Sequence, residues 1–391
     1  MKQAHPPRGG SVTALHWQTW KPVEVIWRDG VIASVAPAPT GAGAGRWIAP
    51  SLFDIQVNGY GGVDFLQAVL TADDLRRAAR ALRRDGCTRF FFTLITSEWK
   101  GLLARLRHAK ALRDADPELR NAIAGWHIEG PFISGEPGFV GAHPPEHVRD
   151  PEPVAIRALR EVTGSDPALL TIAPERNGAA EAAALASSLG MTVFGGHSNA
   201  AGTQLDAAAA TGLTGYTHLG NGCPQVLDRH DNILWRVLER GELIASLIPD
   251  AIHVSPALFR VMHAARGGHN LIYTTDAMSA GGAPPGRYSI GTTVLEVGPD
   301  QVVRLPGRTN FAGSALRPVQ GVFRAARMLR QPWQECWTRL STAAAEAVGC
   351  RHGLRPGHRA DFCLVRPSDG DEPSSLETCF AGEMRPSVDL A

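Results

Sequence analysis

Four side chains that can bind a metal ion or move a proton stand at the ends of four strand-like segments. Glu129 follows an apolar run, residues 123–128, and a Gly-Pro pair then breaks the strand. His197 lies in FGGHSNA, His218 in YTHLGNG and Asp276 in IYTTDAMSAGG, each at the end of a further strand-like run. One such residue alone is most often an ordinary edge or core residue. Four such residues at the ends of four predicted strands indicate a shared site.

Two histidines and one carboxylate form the protein ligand set of one class of catalytic zinc site. Three protein ligands hold the ion there, and a fourth position stays open for water. Glu129, His197 and His218 supply this set, so the sequence predicts one divalent metal ion per subunit. Zn²⁺ is the first choice. Because imidazole and carboxylate groups also bind other first-row metals, Fe²⁺ and Co²⁺ are the alternatives.

Asp276 has a different predicted role, because three ligands already complete the protein side of such a site. A carboxylate beside the attacking water can take its proton and then return it to the leaving group, acting first as general base and then as general acid. Two other roles stay open for Asp276 at this stage. The small residues after it suit a helix N-cap, and its carboxylate can serve as a fourth metal ligand.

The elements that must carry these residues are strands that alternate with stretches long enough for a helix. The sequence predicts eight strands: Phe53–Val57, Arg89–Ile95, Ile123–Ile128, Leu169–Ile172, Thr192–Phe194, Gly215–Thr217, Leu243–Ile248 and Leu271–Thr275. This pattern is typical of an α/β protein with a (β/α)8 TIM-type barrel, whose active site lies at the carboxyl ends of the strands. A doubly wound open sheet is the alternative. The segment NGYGG after the first strand lacks the glycine spacing that such a nucleotide-binding sheet uses.

The helix after the first barrel strand has the clearest boundaries. Thr71 is its predicted N-cap, Asp73 and Asp74 stand in its first turn, and Gly86 ends it. Beyond the eighth strand the sequence predicts inserted β-structure over 288–305 and helices over 318–329 and 333–348.

Both ends of the chain are predicted to form β-structure outside the barrel. Asp29-Gly30 separates two β-rich runs and indicates a hairpin, and another strand is predicted over 359–365. We therefore expect a small β-sandwich domain formed by residues 1–49 together with 350–391. Residues 50–349 are then the catalytic barrel domain.

Composition limits the partners that this chain can have. With 39 basic and 38 acidic residues the net charge is +1, which argues against a nucleic-acid partner or an anionic membrane surface. No apolar run approaches the roughly 20 residues of a membrane span. The six cysteines are scattered without a CxxC motif, which favours free thiols in a reducing compartment. A cytoplasmic protein with a small-molecule substrate is expected.

Several longer motifs resemble one family. They are PSLFDIQVNGYGGVDF, HIEGPF with a following GAH, GHSNA, THLGNG, DAIHV, TTDAMSAGG with PPGRYSIG, and FAGSAL. In this order they resemble the N-acetylglucosamine-6-phosphate deacetylases of the amidohydrolase superfamily. The resemblance covers most of the chain and implies hydrolysis of the N-acetyl group of an amino sugar phosphate to give acetate and the free amine.

The resemblance also implies roles for individual residues. Glu129, His197 and His218 would hold the metal, Asp276 would be the acid and base, and His143 would bind and polarise the substrate carbonyl. Further substrate contacts are implied for Arg229, His253, the backbone of Asn221 and Gly222, and the FAGSAL residues Phe311, Ala312 and Gly313. Arg229 would reach in from the second subunit of a homodimer.

The first barrel strand distinguishes this chain from many members of the superfamily. Those members carry His-x-His there to hold a second metal, whereas this chain has Gln56-Val57-Asn58. Because carboxamides are weak ligands, we expect one metal ion, with Gln56 and Asn58 bonding to water or substrate. Cyclic-amide hydrolysis of the dihydroorotase kind is therefore disfavoured. Such hydrolysis also needs a lysine that the strand Leu169–Ile172 lacks. A non-catalytic scaffold is disfavoured as well, because such a protein would be expected to have lost metal ligands.

Two departures from the family pattern lie in the substrate loops. Cys223 follows Asn221-Gly222 where the family usually has Met after Asn-Ala, and Ala251 stands where the family usually has Gly. These changes leave the catalytic set intact. The alternative substrates are therefore other N-acetylated amino sugars, including N-acetylgalactosamine 6-phosphate and unphosphorylated sugars.

Overall fold

The computed structural model describes residues 8–307 and 313–385. Its strands, in chain order, are β1 Gly10–His16, β2 Pro22–Arg28, β3 Val31–Pro37, β4 Trp47–Pro50, β5 Leu52–Val57, β6 Gly59–Tyr60, β7 Val63–Asp64, β8 Cys87–Ile95, β9 Ile123–Glu129, β10 Ala168–Ile172, β11 Thr192–Gly195, β12 Leu213–Tyr216, β13 Ile244–Leu247, β14 Leu271–Tyr273, β15 Gly286–Ile290, β16 Thr293–Val297, β17 Val303–Arg304, β18 Phe362–Arg366, β19 Ser375–Phe380 and β20 Glu383–Arg385. Its α-helices are α1 Ala72–Arg84, α2 Trp99–Ala115, α3 Pro117–Ala122, α4 Pro153–Thr163, α5 Ala179–Ser188, α6 Gly202–Ala210, α7 Ile233–Glu239, α8 Pro256–Ala265, α9 Pro318–Leu329, α10 Trp333–Trp337 and α11 Thr342–Ala347.

Eight strands form one parallel sheet that curves into a barrel. Their order is β5-β8-β9-β10-β11-β12-β13-β14, so each strand pairs with the next one along the barrel. At least one helix lies between each pair of successive barrel strands. The predicted (β/α)8 barrel is confirmed, and all eight predicted strands are present with small shifts at their ends.

A buried carboxylate joins the first and last barrel strands, β5 and β14. Asp54 accepts hydrogen bonds from Thr274 Oγ1 at 2.5 Å, from Thr275 Oγ1 at 2.5 Å and from the Thr275 backbone at 3.1 Å. Asp54 also accepts from the backbone N–H of Gln56 at 3.2 Å. Burial raises the pKa of Asp54, and these four donors oppose that rise. The charge of Asp54 therefore depends on the barrel being closed.

The first barrel helix, α1, begins and ends as its sequence predicts. The Thr71 side chain accepts from the backbone of Asp74 while the Asp74 side chain accepts from the backbone of Thr71, which is a complete capping box. Leu75 and Leu82 on its apolar face are fully buried against the sheet. Gly86 takes a φ of +82° directly after the helix, a conformation that glycine adopts at little cost.

The two ends of the chain share a seven-stranded sheet. Its order is β20-β19-β18-β4-β1-β2-β3, with β4 running antiparallel to β18. The predicted hairpin at Asp29-Gly30 joins β2 to β3. Trp27 of β2 also donates its indole N–H to the backbone of Gly382 at 2.8 Å, which ties the two termini together. This sheet fits the predicted β-sandwich domain built from both termini.

The segment after the barrel contains one correction. The inserted β-structure is the antiparallel sheet β15-β16-β17, and α9 spans the predicted residues. The single helix predicted over 333–348 is wrong: α10, a 3-10 turn and α11 take its place. The break has a tertiary cause. Trp337 donates to the Pro50 carbonyl at 2.7 Å and the Ser341 hydroxyl donates to the Ser51 carbonyl at 2.7 Å, and the backbone of Ser341 leaves the helical region to do so.

The structure also shows the state of the cysteines and the length and apolar character of the helices. All six cysteines are free and five of them are buried, as their scattered spacing predicts. Within residues 8–307 and 313–385, none of the helices combines the length and apolar character needed to cross a bilayer.

The Asp54 interaction gives a test of how the barrel closes. In Asp54→Ala, the hydrogen-bond donors of Gln56, Thr274 and Thr275 stay buried without an acceptor. At about 1–3 kcal/mol for each unsatisfied group, the free energy of unfolding should fall by about 3 kcal/mol or more. Equilibrium unfolding in urea measures this loss. Asp369→Ala, on an exposed turn, is the control and should change the free energy by less than about 0.5 kcal/mol. Equal stability of the two variants would contradict the role of Asp54.

Candidate functional site

The structure brings all four predicted catalytic and metal-binding residues to one end of the barrel. Glu129 is the last residue of β9, His197 and His218 stand two residues beyond β11 and β12, and Asp276 stands three beyond β14. These are the carboxyl ends of the strands. All four side chains are buried, with Asp276 the most exposed at 7%. A substrate must therefore reach into the barrel mouth to meet them.

Three of these residues have an unusual backbone conformation. His197, His218 and Asp276 have φ values of +49°, +32° and +50°, in the left-handed region that residues with a side chain rarely adopt. Each such residue costs about 1–3 kcal/mol, and the surrounding structure must stabilise it. Strain of this kind concentrates at functional sites. Its occurrence at three strand ends supports a site built for chemistry.

The candidate metal centre surrounds the carboxylate of Glu129. Its Oε1 lies 2.7 Å from His218 Nε2 and 3.4 Å from His197 Nε2, and its Oε2 lies 3.8 Å from His143 Nε2. Ligand atoms of Glu129, His143 and His197 all lie within 4.8 Å of one another. Three imidazoles therefore contact or approach one carboxylate.

A backbone carbonyl fixes the hydrogen position on His197. Its Nδ1 lies 2.9 Å from the Phe139 carbonyl oxygen, which can only accept, so Nδ1 carries the proton. Nε2 then offers its lone pair beside Glu129, and a backbone carbonyl is a usual partner for a metal-binding histidine. Gly141 and Gly222 pack closely against the His197 ring, because a Cβ on either glycine would stand within 3.0 Å of a ring atom. Gly222, predicted to contact substrate, thus also packs against His197.

Several buried polar atoms around Glu129 lack a hydrogen-bond partner among the described residues. They are His218 Nδ1, Gln56 Oε1 and Asn58 Oδ1. A buried polar atom left unpaired costs about 1–3 kcal/mol, so such atoms mark places where a ligand or water completes the structure. A carboxylate, two imidazoles and neighbouring amide oxygens suit a divalent ion with its water. The residues present therefore fit a metal.

Asp276 and Glu129 have opposite pKa shifts although both are buried. Burial and the nearby charge of Glu129 raise the pKa of Asp276 to about 7, which suits a group that must take and return a proton near neutral pH. Burial also disfavours the charge of Glu129, but the charge of the adjacent His218 outweighs burial and holds the pKa of Glu129 well below its usual range. One carboxyl is thus poised to exchange a proton while the other stays charged.

The side chains of Gln56 and Asn58 connect these two carboxylates. Gln56 Nε2 donates to Glu129 Oε1 at 2.8 Å and to Asp276 Oδ1 at 2.9 Å, and Asn58 Nδ2 donates to Asp276 Oδ1 at 2.8 Å. The two carboxamides were predicted to bond to water or substrate. Their amide nitrogens instead position Asp276, which leaves their oxygens for such a contact.

Of the predicted phosphate-binding residues, His253 has a buried side chain near the site and Arg229 is exposed. His253 Nδ1 lies 2.6 Å from Asp250 Oδ2, and although burial opposes it, the charge of Asp250 raises the pKa of His253. The charge of Asp276 also raises the pKa of His253. Arg229 stands on an exposed loop, where its Nε lies 2.9 Å from His230 Nε2. Among the described residues of one chain, it has no recorded contact with the catalytic set.

The remaining predicted substrate residues are only partly described. Asn221 donates its backbone N–H to the His218 carbonyl at 2.9 Å, so its loop folds directly onto a predicted metal ligand. Gly313 takes a φ of +80° beside Met278. Phe311 and Ala312 lie outside the described residues.

Sequence reasoning missed two residues that act on the histidines of the site. Phe139 holds His197 through a backbone carbonyl, which no side-chain pattern can reveal. Thr96 lies directly after the predicted strand Arg89–Ile95 and contacts His143. Its position at a strand end, like that of Glu129, was the available signal.

Comparison with known proteins agrees with this geometry, although no family model matches the chain. An N-acetylglucosamine-6-phosphate deacetylase of Vibrio furnissii is 32% identical over 311 residues, which cover 78% of this chain and 75% of that protein. The chain belongs to the N-acetylglucosamine-6-phosphate deacetylase family. The deacetylase of the same name from Danio rerio is 35% identical over 264 residues, covering 64% of this chain and 63% of that protein, slightly under two thirds of its length.

A solved structure of the deacetylase family extends the agreement to the whole fold. It is a mutant of the Mycobacterium smegmatis deacetylase in complex with N-acetyl-D-glucosamine-6-phosphate, 28% identical to this chain with a TM-score of 0.84. The match covers 96% of this chain and 99% of that one. The strand-end site thus lies in the fold that this deacetylase family uses.

Removing one imidazole tests the candidate metal centre. His197→Ala should reduce the metal bound by the purified protein to below about a tenth of the wild-type amount, because a three-ligand site loses one of its protein ligands. Elemental analysis by mass spectrometry after dialysis measures the metal per subunit. His269→Ala, on the exposed surface, is the matched control and should retain the metal. Wild-type metal content in His197→Ala would show that the ion binds elsewhere.

Proposed function

We propose that this chain removes the acetyl group from N-acetylglucosamine 6-phosphate and releases glucosamine 6-phosphate and acetate. The observation that carries the proposal is Asp276, a carboxyl group with a pKa of about 7, bonded to the same amide nitrogen of Gln56 as the candidate metal ligand Glu129. Membership of the deacetylase family supplies the substrate class. The name of the Mycobacterium smegmatis complex supports the phosphorylated sugar.

The proposed metal ligands are Glu129, His197 and His218, which would hold one divalent ion with Zn²⁺ as the first choice. When bound, such an ion polarises a carbonyl oxygen and makes water a better nucleophile at neutral pH. The protein's own groups then have separate tasks. Burial, and next the neighbouring His197, lower the pKa of His143 to about 3, so its ring is neutral and can donate one hydrogen bond to the acetyl carbonyl oxygen.

Asp276 performs the proton transfers in this mechanism. As a carboxylate it takes a proton from the attacking water while the water oxygen bonds to the acetyl carbon. As a carboxylic acid it then gives that proton to the sugar nitrogen when the C–N bond breaks. Gln56 and Asn58 hold its Oδ1 in place, so the same carboxyl group faces both steps without moving far.

The proposed phosphate site combines His253 with an arginine from a second subunit. Asp250 favours the protonated form of His253, which then meets an anion with a positive charge. Arg229 can bind phosphate through two parallel N–H donors, and its exposed position suits a residue that reaches into a partner's site in a homodimer. Substrate contacts through the backbone of Asn221 and Gly222 and through the FAGSAL segment complete the proposal.

The proposed setting and domain division follow the sequence. Free buried cysteines favour a cytoplasmic enzyme, and residues 1–49 with 350–391 are proposed as one small domain beside the catalytic barrel 50–349. Seven strands from these two segments form one sheet, which supports this division.

An acetate-release assay tests the proposed substrate. We expect the metal-loaded protein to act on N-acetylglucosamine 6-phosphate in preference to the unphosphorylated sugar, because the phosphate adds a charged contact. The galactosamine and mannosamine epimers, with and without phosphate, complete the series. Release of acetate from none of these sugars would reject the function. A preference for unphosphorylated sugars would reject the roles of Arg229 and His253.

Replacing the proton-transfer group tests the mechanism. Asp276→Asn keeps the size of the side chain but cannot take a proton, so kcat should fall by about 10²–10⁴-fold. The bound metal should remain near the wild-type amount, because Asp276 is not a proposed ligand. Acetate release and metal content are measured on the same preparation. A loss of metal that matches the loss of activity would instead make Asp276 a ligand.

Mixing two defective variants tests whether Arg229 acts across a dimer. Arg229→Ala should raise KM for the phosphorylated sugar, and Asp276→Asn should be nearly inactive. In a mixed dimer, the Arg229→Ala subunit keeps Asp276 and receives Arg229 from its partner. After random exchange, about a quarter of all sites should regain wild-type KM. If the mixture shows only the sum of the two separate activities, Arg229 does not act in the partner's site.

A further inference from the structure

Thr96 makes the closest hydrogen-bonding contact to the one histidine of the site that is not a proposed ligand. It stands one residue beyond β8 and is 2% exposed. Its Oγ1 lies 2.8 Å from His143 Nδ1, and its backbone N–H donates to the same Nδ1 at 3.3 Å. Both polar groups of Thr96 that can donate a hydrogen bond therefore converge on one ring nitrogen.

This contact decides which nitrogen of His143 carries the proton. A backbone N–H cannot accept a hydrogen bond, so the Nδ1 atom facing it must offer a lone pair. The single proton of the neutral ring is then on Nε2, the atom 3.8 Å from Glu129 Oε2. His197 has the opposite arrangement, because Phe139 presents a carbonyl oxygen to its Nδ1. Two adjacent imidazoles, with ring centres 4.4 Å apart, thus differ in tautomer because of their backbone neighbours.

The barrel ladder holds Thr96 in this position. Ile95 pairs with Glu129 across β8 and β9, which places Thr96 beside Gly130. A Cβ at position 130 would stand 2.2 Å from Thr96 Oγ1 and 3.6 Å from His143 Nδ1, and Gly130 has a φ of +89°. The absence of a side chain at this glycine therefore lets the hydroxyl reach the ring.

We propose that Thr96 is a positioning residue that holds His143 as a hydrogen-bond donor through Nε2 and so keeps it out of the metal ligand set. An imidazole with a proton on Nε2 and its Nδ1 occupied by Thr96 has no lone pair to offer an ion. It has one donor to offer the oxygen of the substrate carbonyl, where negative charge develops during attack by water. The catalytic part of this inference rests on the proposed function, whereas the tautomer does not.

The expected loss on removing the Thr96 hydroxyl is smaller than that on removing a carbonyl donor outright. Loss of a complete oxyanion donor typically lowers kcat by about 10²–10³-fold. In Thr96→Val the donor remains but loses its closer anchor, so we expect kcat to fall about tenfold with KM changed by less than about twofold. Thr96→Ser, which restores the hydroxyl, should recover most of this loss.

The test compares the kcat defect of Thr96→Val on two substrates and determines the His143 tautomer by NMR. With an N-trifluoroacetyl amino sugar phosphate, the carbonyl is already electron-poor and needs less help from a donor, so the defect of Thr96→Val should shrink. Nitrogen-15 NMR of the histidine rings in metal-free wild-type protein should show His143 protonated on Nε2. Thr88→Val, a buried substitution on the same strand far from the site, is the control for packing and should leave kcat unchanged.

The possible results distinguish failure of the Thr96 role from failure of the proposed function. A proton on Nδ1 of His143 would overturn it, even if the protein proves inactive on every amino sugar. An equal loss on both substrates, a loss of metal in Thr96→Val, or no recovery in Thr96→Ser would show that Thr96 only supports the structure. Failure of the wild-type protein to release acetate, with the predicted tautomer present, would reject the proposed function and leave the tautomer assignment standing.

Discussion

The functional site depends on one buried negative charge, the carboxylate of Glu129. A carboxylate with 2% exposure is stable in a barrel core only if positive or hydrogen-donating groups surround it. The carboxyl ends of neighbouring parallel strands lie at the same edge of the barrel and bring those groups together. His218 and the amide of Gln56 reach Glu129 from different strands. The charge of Glu129 therefore depends on the barrel that brings these groups together.

Backbone groups around this charge give chemically identical side chains different tasks. Phe139 and Thr96 leave one imidazole with a lone pair and its neighbour with a proton at the corresponding ring position. In the same way, His218 keeps Glu129 charged, while burial and the charge of Glu129 raise the pKa of Asp276 to about 7. A metal ligand, a hydrogen-bond donor and a proton carrier can thus come from only two kinds of side-chain group, the imidazole and the carboxyl.

The sequence predicted those parts of the structure that local patterns determine. The period of apolar residues located the eight barrel strands, and the cap at Thr71 located α1. Strand ends identified the catalytic set because a parallel barrel brings them to one face. Local patterns do not predict tertiary contacts between residues that are distant in the sequence. The helix predicted over 333–348 breaks because Trp337 and Ser341 bond to the backbone before β5, and the Thr96 contact with His143 joins residues 47 positions apart.

We propose Glu129, His197 and His218, but not His143, as the metal ligands. Crystals of the zinc-loaded protein, with anomalous diffraction measured on both sides of the zinc absorption edge, locate the ion directly. We expect one peak per subunit at about 2.0–2.2 Å from a Glu129 oxygen and from one nitrogen each of His197 and His218. The nitrogens of His143 should lie beyond bonding distance. A peak bonded to His143 Nε2 would overturn this ligand assignment.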